Sequence, residues 1–298
     1  MELRVPSVEY RVTRRTFHVL RFMFYLYCSP VPNRKTLPVA FTIAGSDSGG
    51  GAGIQADLKT FASLGVHGTT AVTSITAQNP LAISAIQPSS PELVHRQIEA
   101  VFTGFRPAAS KTGMLYSAEI IRAVAQFFRR HPSPLVIDPV MVSTSGAALL
   151  KSPALKALMD ELLPLSLLVM PNVAEAEVLV GKKIRSAEDL RAAAREVQER
   201  FGCATLVKGG HLRGLKHAVD IFYDGKQELL LSAPFIRGVR THGTGCVYSA
   251  AVTAFLARGY SLPSAVQRGK QYITEAIAHS RKAGKHAVLG VPTGHAEL

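Results

Sequence analysis

The sequence predicts an α/β protein, with a mostly parallel central sheet covered by helices on both faces as a three-layer sandwich. Three observations predict it. Short apolar runs alternate with stretches of helical period along residues 38–298. Residues that carry chemistry recur just after those runs: Gly45, Gln78, Lys111 to Gly113, Asp138, Asn172, Lys208 and Gly243. In a parallel sheet such positions share one edge, the carboxyl ends of the strands, where ligands bind. No linker or repeat interrupts the pattern, so 38–298 is expected to be one domain.

Each element has its own signal. Val39–Ala44 is an apolar run suited to a buried strand. A glycine-dense loop, Gly45–Gly53, follows it, and then a helix whose apolar face is Ile54, Leu58, Phe61 and Leu64, closed by Gly65. Strand, glycine loop, helix is a phosphate-binding layout, but no Gly-Lys-Ser/Thr makes it a Walker loop. The same residues also suit a flexible turn. Asp57 falls on the apolar face of this helix, where an acid needs either a partner or a task. Strands are expected over 68–78 and 82–87, and a helix over 91–102. A strand over 108–111 leads into Thr112-Gly113-Met114, followed by a helix over 118–129. Leu135–Asp138 is a strand ending at Pro139, Ser143–Gly146 a turn, and 153–163 a helix. Leu167–Met170 is a strand; Asn172 and Glu175 then have capping-box spacing. A helix over 187–201, a strand over 204–208 and a hairpin around Asp224-Gly225 come next.

Thr241-His242-Gly243-Thr244-Gly245-Cys246 then opens onto a run without charge as far as Arg258. A buried helix that starts in a glycine turn offers backbone N–H groups at the positive end of its dipole, a site for an anion. Cys246 beside them is expected to have a lowered thiol pKa. A core helix with a buried cysteine fits these residues too. The last helix is expected over 263–279.

Composition limits the function. With 298 residues, 47% of them hydrophobic, the chain can bury a large core. No apolar run reaches the roughly 20 residues of a membrane span. Three cysteines (Cys28, Cys203 and Cys246) without a Cys-x-x-Cys spacing argue against a disulfide framework or zinc site and for a reducing, cytoplasmic compartment. The net charge of +13 raises nucleic acid as a partner, but residues 1–37 hold seven Lys/Arg against two Glu, and elsewhere the basic residues are scattered. The charge suits attraction of phosphorylated small molecules instead. Residues 1–37 are expected to lie outside the fold, disordered or loosely attached. Arg14 and Arg15 precede the apolar stretch Phe17–Tyr27, so a signal peptide, a transit peptide and a true start further downstream all stay open.

Taken together, Ala44–Phe61, Ala77-Gln78-Asn79, Lys111–Leu115, Asp138–Met141, Pro171-Asn172 with Glu175, Val207–His211 and His242–Cys246 resemble the hydroxymethylpyrimidine/phosphomethylpyrimidine kinases, members of the ribokinase-like superfamily. The resemblance covers about 38–298. It implies two ATP-dependent phosphorylations, of a pyrimidine alcohol and then of its monophosphate, in thiamine biosynthesis. It implies that the amides of Gly243, Thr244, Gly245 and Cys246 hold the transferring phosphate, and that Cys246 takes the hydroxymethyl proton. Gln78 is similar to the residue that reads the pyrimidine; Asp57, Gly45, Ala52 and Met114 would wall the pocket. Lys208, Asp138, Asn172 and Thr241 would meet ATP, and Asp138 and Glu175 would position Mg²⁺ through water. A homodimer is expected. Two departures stand out: Val247 replaces a common Thr, and Ser143–Ala147 lacks a Lys and an Asp. A pyridoxal/pyridoxine kinase and a non-catalytic vitamin-binding protein are the alternatives.

Overall fold

The computed structural model describes residues 36–141, 150–210, 212, 216–236 and 242–292. The expectations for 1–35, for the 143–147 turn and for Thr241 lie outside the described residues.

Among the described residues nine strands form one sheet: β1 (Val39–Asp47), β2 (His67–Gln78), β3 (Ile83–Pro88), β4 (Ala109–Thr112), β5 (Leu135–Ile137), β6 (Leu168–Val169), β7 (Ala204–Lys208), β8 (His217–Tyr223) and β9 (Glu228–Pro234). Their order is β3-β2-β1-β4-β5-β6-β7-β8-β9. The strands from β2 to β7 in this order run parallel; β3 pairs antiparallel with β2 at one end, and at the other β8 pairs antiparallel with both β7 and β9. The chain winds outward from β1 in both directions, first to β2 and then back past β1 to β4. A crevice opens where the winding reverses, outside the carboxyl ends of β1 and β4.

Strand pleating divides the core into layers. Ala40, Ala109, Val136, Leu168 and Leu206 pack under α1 (Gly53–Ser63), α7 (Thr244–Ala257) and α8 (Leu262–Ala278). Phe41, Ile43, Leu135, Ile137 and Val169 point the other way, against α2 (Pro91–Phe105) and α3 (Ala118–Arg130). On that second face α5 (Val173–Val180) and α6 (Ala187–Phe201) cover Val207 and Ile221. The expected sandwich is present. Ser90 and Ser117 cap α2 and α3 through their side chains, and both halves of the Asn172–Glu175 capping box form at the start of α5.

Three sequence expectations need correction. Gly45, Ser46 and Asp47 belong to β1, which continues past a bulge between Ala44 and Ser46, so the glycine loop shrinks to 48–52. The helix expected over 153–163 is broken into α4 (Ser152–Ala157), a π turn (Leu158–Leu162) and a 3₁₀ turn (Leu163–Leu165). Pro164 has no N–H to continue an α-helix, and the chain leaves through the wider and then the tighter turn. A short hairpin, β10 (Arg281–Ala283) with β11 (His286–Val288), follows α8. Its strands are three residues each, exposed in β10 and half-buried in β11, too short to show the alternation that announces a strand.

Candidate active site

A cleft of about 1660 Å³ lies along the carboxyl edge of the sheet. Gly45, Ala52, Gln78, Met114, Asp138, Asn172, Glu175, Lys208, Gly243, Thr244, Gly245 and Cys246 all line it. The parallel sheet brings them together, although 201 positions separate the first from the last. Asp57 is the exception.

The expected glycine turn opens α7. Gly243 is the N-cap, with φ 86° and no capping side chain. A Cβ there would lie 1.8 Å from the Gly51 carbonyl oxygen, so only glycine lets the turn meet the 48–52 loop. Gly245 makes room of another kind: a Cβ there would stand 3.3 Å from Asp138 Oδ2 and 3.5 Å from Lys208 Nζ. The first-turn amides of α7, which have no intrahelical acceptor, therefore face a cleft that also holds a carboxylate and an ammonium.

Cys246 corrects an expectation. The helix N-terminus does not lower its thiol. Burial pushes it up to about 12, Lys111 and the Gly53 N–H pull it down, and Asp57 and Asp138 push it further up. Desolvation costs the thiolate more than a half-charge at a helix end returns. At neutral pH the group is a thiol.

Asp57 does not reach the cleft. It is fully buried, and accepts from Lys111 Nζ at 2.8 Å on each oxygen and from Thr42 Oγ1 at 2.6 Å. The apolar helix face that carries Asp57 packs down onto the sheet, so its carboxylate meets the β4 lysine instead of the cleft. Burial works against the Lys111 charge, but Asp57, Cys246 and Asp138 outweigh it and raise the ammonium's pKa. Lys111 itself lines the cleft floor. Its strand-end position marked it in the sequence, without a role.

Two further Lys–Asp pairs line the same floor. Lys208 donates to Asp138 Oδ1 at 2.8 Å, and Lys270 to Asp220 Oδ2 at 2.7 Å. Burial lowers the Lys208 pKa, and Asp138 and Glu175 more than restore it. Asp220 and Lys270 were missed; an aspartate between Val219 and Ile221 in an apolar strand was the available signal. Glu175 uses its oxygens on the chain: Oε2 accepts from the Asn172 N–H at 2.9 Å and Oε1 from the Met141 N–H at 3.3 Å. Burial raises its pKa, with Lys208 opposing. Among the described residues, Asp138 Oδ2 has only a long 3.4 Å bond, from Ser249 Oγ. Among the described residues no group of three or more His, Cys, Asp or Glu forms a metal cage.

Gln78 ends β2 on the opposite wall. Ser48 pins its backbone, accepting from the Gln78 N–H at 2.7 Å and donating to its carbonyl at 2.8 Å. Its side-chain nitrogen lies 3.1 Å from His242 Nε2, which lies 3.0 Å from Asp47 Oδ2. Asp47 also accepts from the N–H groups of Gly49, Gly51 and Ala52, at 2.8, 3.1 and 2.8 Å. Burial would raise this carboxyl; the bonds from His242, Gly49 and Ala52 lower it instead. Asp47 and His242 thus tie the 48–52 loop, the glycine turn and Gln78 together, and neither had a role from sequence.

Comparison with known proteins gives a consistent picture. A family model described as phosphomethylpyrimidine kinase matches residues 47–290. A hydroxymethylpyrimidine/phosphomethylpyrimidine kinase of Synechococcus elongatus is 46% identical over 249 residues, 84% of this chain and 95% of the relative. Among solved structures, an ADP complex of Bacillus subtilis pyridoxal kinase matches with TM-score 0.80 and 36% identity, covering 86% of this chain and 97% of that one. A phosphomethylpyrimidine kinase from Clostridium difficile 630 matches with TM-score 0.72 and 41% identity, covering 81% and 100%.

Proposed function

Because the chain belongs to the phosphomethylpyrimidine kinase family, we propose that it phosphorylates 4-amino-5-hydroxymethyl-2-methylpyrimidine twice with ATP, in thiamine biosynthesis. The first transfer gives the monophosphate and the second the diphosphate. One observation carries this: a side-chain amide at Gln78 and a glycine-turn helix N-terminus at Gly243–Cys246 face one cleft, tied together through His242.

The roles follow from chemistry. Gln78 reads the aminopyrimidine edge, with Gly45, Ala52 and Met114 as walls. Asp57 acts at one remove, by holding Lys111 on the floor. The amides of Gly243, Thr244, Gly245 and Cys246 stabilise charge on the transferring phosphoryl group, the main demand of this reaction. Lys208 and Asn172 stand on the ATP side, and we assign Thr241 there as well. Cys246, through its small thiolate fraction, takes the alcohol proton in the first step and becomes the thiol; in the second the acceptor is already an anion and needs no base.

Mg²⁺ fits sparsely. It asks for one or two carboxylates, with water and substrate oxygens for the rest. Asp138 Oδ2, with a single long hydrogen bond among the described residues, meets that demand; Glu175 has both oxygens on backbone amides and supports the site from behind. When bound, the ion supplies charge neutralisation on the ATP phosphates. We also propose a homodimer, supported by exposed Ile75 and Leu81 on the β2–β3 hairpin, and a cytoplasmic location, where the free thiols of Cys203 and Cys246 stay reduced.

Mass spectrometry of products from the pyrimidine alcohol with Mg-ATP tests the function. Monophosphate followed by diphosphate is expected; unchanged alcohol refutes it. The fold likeness to a pyridoxal kinase favours a second reading, pyridoxal phosphorylation in the same cleft. A tenfold or greater preference for pyridoxal, about 1.4 kcal/mol, would reverse the assignment.

A further inference from the structure

The atoms around the Gln78 amide carry one more conclusion. His242 Nε2 faces the Asp47 carboxylate at 3.0 Å, so it must bear a hydrogen; a bare lone pair there would repel the anion. A protonated Nε2 cannot accept from the Gln78 nitrogen placed 3.1 Å away, since two N–H groups would then oppose each other. The far side of the amide has the mirror conflict. Thr76 Oγ1 gives its single hydrogen to the Ser46 carbonyl at 2.6 Å, yet the Gln78 oxygen stands 3.2 Å from it. Exchanging the amide's oxygen and nitrogen, which have the same shape, gives Thr76 Oγ1 a donor and replaces the opposed N–H groups by a Gln78 oxygen that shares the one Nε2 hydrogen with Asp47 Oδ2.

We infer that Asp47 and His242 are positioning residues that fix the Gln78 amide with its carbonyl toward His242 and its NH₂ toward Thr76, and that they thereby set which pyrimidines the cleft accepts. The rest of the residue is already held. Ser48 clamps the Gln78 backbone, and three loop N–H groups keep the buried Asp47 carboxylate from turning away. Only the amide rotation is left, and His242 and Thr76 decide it. The oxygen keeps one lone pair and the nitrogen one N–H for a ligand. Side by side, they match an amino group next to a ring nitrogen. A 4-oxo pyrimidine presents the reverse order, carbonyl next to ring N–H, and meets acceptor with acceptor and donor with donor. An amide free to turn by 180° would take either ligand.

This rests on the acceptor proposed above, so the test has two arms. In the first, calorimetry on the full chain without ATP measures the aminopyrimidine alcohol and its 4-oxo analogue. Wild type is expected to prefer the amino compound by about 100-fold or more, since buried polar groups left opposed are costly. His242→Ala should bring the ratio below about tenfold. His242→Gln, whose Nε2–H can reach the same place, should restore it. A ratio unchanged in His242→Ala overturns the proposal, because a general loosening of the site would weaken both ligands alike. In the second arm, ¹⁵N NMR of the free protein reads His242 directly. A hydrogen on Nε2 is expected, and an unprotonated Nε2 overturns the proposal whatever the ligands do. If wild type binds neither pyrimidine, the acceptor assignment fails and the nitrogen spectrum decides the relay alone.

Discussion

Removing the Cys246 thiol separates the two phosphorylations through their pH dependence. Burial places the thiol at about 12. At pH 7.5 the thiolate is therefore about one part in 10⁴–10⁵, equivalent to about 6 kcal/mol at 1.36 kcal/mol per unit. A cysteine deprotonates as pH rises, so below its pKa the reactive fraction grows tenfold per unit. If Cys246 is the base for the alcohol, kcat/KM of the first step should climb with a slope near one from pH 7.5 to 9.5. Cys246→Ala should be flat over that range, and the ratio of wild type to variant should widen about 100-fold. The second step, whose acceptor is a phosphate anion, should be flat in both proteins. Lys111 and Lys208 do not confuse the window, because their carboxylate partners raise both above the ordinary lysine value. The assay is initial-rate product formation for each acceptor across the pH series, with ATP saturating. A flat first step in wild type, or equal losses in both steps, refutes the base assignment.

The buried pair beneath the cleft gives a stability prediction. Lys111→Met leaves the Asp57 carboxylate without its counter-charge in a fully enclosed site, with Thr42 Oγ1 still donating to it, and should cost about 3–5 kcal/mol in urea unfolding. Lys111→Met with Asp57→Leu removes both charges and should regain most of that; a double variant no more stable than the single one counts against the pairing. Gly243→Ala forces a Cβ to within 1.8 Å of the Gly51 carbonyl in a left-handed backbone. It should reduce both phosphorylations by at least about 100-fold through misplacement of the turn; wild-type kcat would show that the turn does not hold the phosphoryl group. Gln78→Leu should weaken binding of the pyrimidine alcohol by about 1–3 kcal/mol in calorimetry while ATP affinity stays unchanged, and unaltered pyrimidine binding would remove Gln78 from the pocket.

Much of the fold was legible in the sequence. Period and composition are local, so they named the strand and helix flanking the glycine loop, the helices over 91–102 and 118–129 and the Asp224-Gly225 hairpin. They failed where a local signal was missing, as in the three-residue strands of the β10–β11 hairpin, or was overridden, as at Pro164. The strand-end rule found most of the cleft, because a parallel sheet sends its strand ends to one edge whatever the strand order. Which strand-end residues touch was beyond it. The sequence marked Asp57 as an acid on an apolar face that needed a partner or a task; only packing chose the partner, Lys111, 54 positions away. It marked Cys246 as a thiol at a helix start. The tertiary structure half-buried that thiol in the cleft wall and placed Asp57 and Asp138 nearby, reversing the direction of its pKa. Charge states and hydrogen-bond partners depend on distances of a few ångströms between segments far apart in the chain, and those distances exist only once the chain has folded.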